Sequence, residues 1–191
     1  MTFRPGQLAA SLLSLALSSP ALAEGPETPP DWTGLYFGAA IATAQGDNNW
    51  RVEGRDDLEM LPGPWEHGVP VLSLGHDWQR GSLTFGGSLS LNTGVFTASP
   101  ADGVFFTCVD CQTEISHLIL LRGRAGYATE KTLFFASGGL ARADVLATNV
   151  GGAVMIDEDS RGGCTLGIGA ERRIGDILTL AVSYDHVDLG A

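Results

Sequence analysis

After its first two dozen residues the chain has no long hydrophobic run, so it encodes no helix of the ~20 apolar residues needed to cross a bilayer. Charge is also scarce: Asp, Glu, Lys and Arg make up 17% of the 191 residues, below the ~25% of ordinary soluble domains. Positive charge is scarcest, with 11 Lys and Arg against 22 Asp and Glu and a formal net charge of -11. That excludes nucleic acid as a partner, because its phosphates attract Lys and Arg clusters. The acids gather in two stretches, Asp47, Glu53, Asp56, Asp57 and Glu59 in one and Asp157, Glu158 and Asp159 in the other. Both read as solvated loops.

Only three cysteines are present, with no second Cys-x-x-Cys and no His-x-x-x-His. A zinc site is therefore not expected, and no metal or cofactor is assigned. No helix is expected after Cys108 to lower a thiol pKa, as redox catalysis needs. Cys108 and Cys111 are expected to form a local loop disulfide, suited to an oxidising compartment. Cys164 is left over, as a small apolar residue or a free thiol. Hydrolytic chemistry fares no better, since no Gly-x-Ser-x-Gly elbow appears. Glu114, Ser116 and His117 are close in sequence, but a strand sends Ser116 and His117 to opposite faces. His67, His76 and His186 are scattered. No catalytic residue is assigned, and the chain is not expected to be an enzyme.

The N-terminus carries Arg4, an apolar run from Leu8 to Leu17, a break at Ser18-Ser19-Pro20 and Ala21-Leu22-Ala23. This is the layout of an export signal, so residues 1–23 are expected to be a cleaved signal peptide. Residues 24–31, with three prolines, form a flexible lead-in, and 32–191 form a single domain.

Within that domain a period of two dominates. From Ser82 to Asn92, Leu83, Phe85, Leu89 and Leu91 share one face, while Thr84, Gly86, Ser88, Ser90 and Asn92 share the other. A strand with one apolar and one small polar wall has this pattern; a helix scatters the leucines. Six further segments repeat it. One sets Leu35, Phe37, Ala39 and Ile41 against Tyr36, Gly38, Ala40 and Ala42. Another sets Leu72, Leu74 and Trp78 against Ser73, Gly75 and Asp77. A third sets Ile115, Ile119, Leu121, Ala125 and Tyr127 against Glu114, Ser116, Arg122 and Arg124, imperfectly, because Leu118 and Leu120 fall on its polar side. The segment around Leu133 to Val145 has ambiguous facing. Two more run through Leu166 and Ile168, and through Leu180 and Val182.

Tight turns near residues 79–81, 129–131 and 174–176 alternate with long irregular links at 45–66, 98–112 and 146–162. Short turns at one end and long loops at the other are the layout of an outer-membrane barrel. A soluble ligand-binding barrel also alternates, but its outer wall is rich in Lys and Glu. Here the polar set is Gly, Ser, Thr and Ala. Trp32, Trp78, Tyr127 and Tyr184 tend towards strand ends, where amphipathic rings meet lipid headgroups. The expectation is an all-β, antiparallel up-and-down transmembrane β-barrel. It is of eight-stranded type with about seven strands present, and the closing C-terminal strand is missing. Arg122, Arg124, Glu171 and Asp185 then project inward, where unpaired charge is costly, so they are expected to form a lumen charge network.

With these residues placed, the chain resembles the porin-like outer-membrane β-barrel family of alphaproteobacterial surface proteins. The resemblance rests on Trp32-Thr33-Gly34-Leu35-Tyr36-Phe37-Gly38, Arg122-Gly123-Arg124-Ala125-Gly126-Tyr127, Ala136-Ser137-Gly138-Gly139-Leu140-Ala141, Gly167-Ile168-Gly169-Ala170-Glu171 and Tyr184-Asp185-His186-Val187-Asp188-Leu189-Gly190. It implies an eight-stranded barrel and a role in envelope integrity, surface exposure or limited permeability. The family usually continues past Val-Asp-x-Gly into another limb ending in an aromatic residue, which helps assembly machinery recognise the barrel. Expected partners are outer-membrane lipids and that machinery. A narrow porin and a soluble periplasmic ligand-binding barrel are the alternatives. Fractionation separates them: an outer-membrane pool with heat-modifiable gel mobility is expected, and recovery in the soluble periplasm overturns the membrane reading.

Overall fold

A computed structural model describes residues 2–18, 31–52, 55–59, 65–66, 68–98, 111–149, 155–175 and 177–189. All regular structure in them is β: β1 (Thr2–Ser18), β2 (Gly34–Val52), β3 (Arg55–Glu59), β4 (Trp65–Glu66), β5 (Val69–Arg80), β6 (Leu83–Asn92), β7 (Phe96–Ala98), β8 (Cys111–Ala128), β9 (Thr132–Asn149), β10 (Met155–Arg173) and β11 (Leu178–Asp188). Seven long strands pair with their sequence neighbours, all antiparallel, in the order β2, β5, β6, β8, β9, β10, β11. This is the up-and-down barrel that the alternation predicts.

Tight links close one end. Between β5 and β6, Gly81 adopts φ 63°, a left-handed conformation that L side chains resist. Between β8 and β9, Thr129 closes the turn by donating its hydroxyl to the Thr132 carbonyl at 2.9 Å and accepting the Thr132 N–H at 3.2 Å. At the other end the hairpins outgrow the bilayer. β9 and β10 stay paired from Thr132↔Arg172 up to Asn149↔Met155, so most of the 146–162 stretch is ribbon rather than irregular loop. Eighteen residues at ~3.3 Å each span far more than the ~25 Å apolar band of such barrels.

Burial is inverted relative to a soluble protein. Leu140, Leu166 and Ile168 are 64%, 67% and 65% exposed, whereas Thr179 and Asp185 are fully buried. The alternating apolar face therefore points out of the barrel and the small polar face points in. Trp78, Phe85, Tyr127 and Phe134 stand exposed on the outer wall near the tight turns, as an aromatic girdle does. Trp32 departs from the expectation: it is buried with Ala128 and Leu133, with Phe135 packed against them, and stoppers the turn end of the barrel instead of joining the girdle. Tyr184 is exposed on the outer wall but lies opposite Ile168, away from the strand ends.

A second correction falls on β8. Its ladder with β9 shifts between Ser116 and Ile119, and His117 has φ 50°. A bulge inserts a residue and reverses facing on one side of it. Ile115 is consequently buried alongside Leu118 and Leu120, not outward with Ile119 and Leu121. The two leucines that spoil the alternation belong to the interior all along. On β9, the ambiguous strand, Phe134 and Leu140 face out while Leu133, Ala141, Ala143 and Val145 are buried.

The eighth position is occupied. Thr2–Ser18 pairs antiparallel with both β2 and β11, so the stretch read as an export leader forms a strand between the first and last staves. The expected cleavage point after Ala23 and the Cys108–Cys111 disulfide lie outside the described residues, while Cys164 is exposed as a free thiol.

A small barrel must match large inward side chains with small ones across the strand. Gly75 faces the Tyr36 ring so closely that a Cβ there collides with it. Gly75→Val is expected to cost ~1–3 kcal/mol, as overpacking does, read as a lower urea midpoint for the folded form in detergent micelles. Leu74→Val on the outer wall is expected to leave that midpoint nearly unchanged.

Candidate functional site: the charged interior

Inward positions of β5, β8, β10 and β11 bring the barrel's buried charges together. Arg124, on β8, donates its Nε to Asp77 Oδ1 at 2.8 Å, its Nη2 to Asp77 Oδ2, and its Nη1 to Glu171 Oε2 at 3.1 Å. The same guanidinium sits 4.6 Å from the Tyr36 ring centroid and 5.2 Å from that of Phe135. Thr179 donates its hydroxyl to the other oxygen of Glu171 at 2.6 Å. One cation thus meets two carboxylates and two ring faces.

Two residues nearer the loops on the same face of β8, Arg122 forms a second centre. Its Nη1 donates to Asp185 Oδ1 at 2.9 Å and its Nη2 to Ser90 Oγ at 2.9 Å. Ser183 donates to Asp185 Oδ2 at 3.2 Å and Ser137 to Asp185 Oδ1 at 3.5 Å. Asp185 reaches across because Gly167, its neighbour on β10, carries no side chain that could collide with it.

Arg122, Arg124, Glu171 and Asp185, the four residues expected in the lumen, are all inward, and the structure joins them as Arg122–Asp185 and Arg124–Glu171. Asp77 and Tyr36 were not among the expected network, although each belongs to the inward set of its strand. Parity along β2 and β5 is the signal that finds them: Asp77 follows Ser73 and Gly75 in steps of two. Which carboxylate meets which arginine depends on strand order and stagger, which parity does not carry.

Apolar and aromatic groups bound the charges on both sides. Towards the turns lies Trp32, whose backbone N–H donates to Gln79 Oε1 at 2.8 Å and whose ring is capped by the Arg173 guanidinium at 4.9 Å. Towards the loops lies a buried cluster including Val69, Val71, Phe96, Ile115, Leu118, Leu120, Val145 and Val187.

The remaining candidate side chains lie apart from this interior. His117 is exposed on the bulge, its Nδ1 3.3 Å from Asp144 Oδ2. His76 packs against Trp78 with ring centroids 4.4 Å apart and planes tilted by 45°, and His67 lies outside the described residues. The outward row of β9 passes from Leu140 to exposed Arg142, which donates its Nε to Ser160 Oγ at 3.1 Å. That row marks the upper margin of the apolar wall.

An apolar exterior over a charged, paired interior is the arrangement of a barrel solvated by lipid. The chain is an outer-membrane protein. Sequence comparison agrees: it is 27% identical, over an alignment 208 residues long, to the 31 kDa outer-membrane immunogenic proteins of Brucella melitensis biotype 1 and Brucella suis biovar 1. In each case the alignment spans 96% of this chain and 85% of the relative. No family model matches the chain.

Removing the shared cation leaves two buried carboxylates uncompensated. Arg124→Met is expected to cost ~3–5 kcal/mol, the usual penalty for breaking a buried pair from one side. Adding Asp77→Asn and Glu171→Gln is expected to recover part of that loss. Urea titration of the unsubstituted protein and these two variants in micelles measures both steps.

Proposed function

We propose that this chain is a structural and surface protein of the outer membrane whose lumen is filled by its own side chains, and that it neither catalyses a reaction nor conducts ions appreciably. The observation that carries the reading is the succession of groups along the interior: Trp32 at the turn end, the Arg124 and Arg122 centres in the middle, and the cluster around Phe96, Leu118 and Leu120 at the loop end. An eight-stranded barrel is just wide enough to be filled in this way, whereas aqueous pores belong to barrels of 16–18 strands.

The arginines do not make a selectivity ring on this reading. A filter holds charge loosely so that ions can enter and leave; here Arg124 is tied to two carboxylates and Arg122 to one. Their role is to join strands across the barrel: Arg124 links β8 to β5 and β10, and Arg122 links β8 to β6 and β11. Envelope integrity follows from a rigid stave structure held in lipid. Surface presentation follows from the ribbons above Arg142, and the relatives' description as immunogenic supports surface exposure here. The partners are outer-membrane lipids along the apolar wall and the assembly machinery during insertion.

Planar-bilayer recording tests the proposal. Purified protein is expected to give no stable steps above baseline. Discrete, long-lived openings of uniform size overturn the filled-lumen reading and favour a narrow porin.

A further inference from the structure

The edges of β2 and β11 pose a problem that the other strands do not. Both run from the tight-turn end towards the loop end, because an even number of reversals separates them. They are therefore parallel to each other, and in lipid their outer N–H and C=O groups cannot be left unpaired without a cost of several kcal/mol each. A strand running the opposite way satisfies both edges with antiparallel ladders.

β1 has that direction. Its end at Ser18 lies opposite Tyr36, near the start of β2, and Leu17 lies opposite Leu178, at the start of β11. Its ladders are continuous from Leu8 to Leu17 on both sides. The register also agrees with the facing of the flanking strands. Leu13 falls in the row of Ile41 and Val182, and Leu15 in that of Ala39 and Leu180, all four partners exposed on the outer wall. Ala10 falls in the row of Asp185, and Ala16 in that of Gly38 and Thr179, these three partners being buried. Between Leu13 and Leu17 a slip of one residue puts the leucines in the inward rows and the small residues in the outward ones. From Leu13 to Leu17 the stretch thus puts leucine in the outward rows and Ser14 and Ala16 in the inward ones, whereas Leu8 and Leu12 fall in the inward rows of Val187 and Ala42.

We propose that the β2–β11 seam is a strand-acceptor site for one antiparallel strand that sets leucine outward and small residues inward over its tight-turn half, and that residues 8–17 are its occupant in the uncleaved chain. The inference does not depend on whether the lumen conducts. It concerns the seam alone.

Disulfide trapping tests it in the full 191-residue chain refolded into detergent micelles, with Cys108, Cys111 and Cys164 changed to Ser. Antiparallel partners lie 4.5–5.5 Å apart between Cα atoms, within disulfide reach. Leu13→Cys is combined with Ile41→Cys in one variant and with Val182→Cys in another. Leu74→Cys with Leu89→Cys, partners across β5 and β6, reports that the barrel has formed. Oxidation is expected to give a monomeric cross-link in all three, with the 13–182 pair the most shifted on a non-reducing gel because it closes the longest loop. A control link without either seam link overturns the proposal. Seam links found only between two chains overturn it as well, since the occupant is then a second copy.

Discussion

In hydrocarbon no water competes for the peptide group, so every backbone N–H and C=O in the spanning region must find its partner within the protein. The rest of this structure depends on that constraint. It imposes strands paired on both sides, and hence a closed circuit. Closure at eight strands sets a narrow lumen, and a narrow lumen sets the residue sizes that can face it. Glycine at 75 and 167 is a consequence: each sits where the neighbouring strand sends in a large or charged side chain, Tyr36 or Asp185.

The interior charges look costly by the same logic, because removing an ion from water carries a penalty of several kcal/mol. The penalty is offset here by geometry. Arginine suits both centres because its planar fork delivers several donors in fixed directions. Arg124 uses three of them on two carboxylates and lays its face against aromatic rings. A lysine offers a point charge with no such reach across the barrel. The charged centres also restrict register, since a slip of β8 by one residue sends both guanidiniums into lipid.

Much of this was legible without coordinates. Alternation through Leu83 to Asn92 is unbroken except at Gly87, and it assigns facing residue by residue. The inward placement of Arg122, Arg124, Glu171 and Asp185 follows from the same count. Where alternation faltered, the cause was physical. Leu118 and Leu120 seemed misplaced because the bulge at His117 reverses the strand beyond it, leaving them inside with Ile115. Trp32 read as an interface anchor because a tryptophan at a strand end serves equally as a girdle residue or a stopper, and only the neighbours Ala128 and Leu133 distinguish the two. The 146–162 stretch read as loop because its acids carry no apolar alternation, while a ribbon standing in water needs none.

The first residues show the division most sharply. An apolar run of ten built from leucine, alanine and serine satisfies two readings, an export leader and a lipid-facing strand, because both ask for the same hydrophobicity over the same length. Composition and period by themselves determined the class, an all-β barrel with an apolar outer wall and a charged interior, since a strand of given parity in lipid has one permissible facing. The tertiary structure decided what depends on strands distant in sequence: that Asp77 joins Glu171 at one arginine, that Trp32 turns inward, and that the seam between β2 and β11 accepts one more strand. Pairing partners are set by closure of the whole circuit, and no local pattern contains that information.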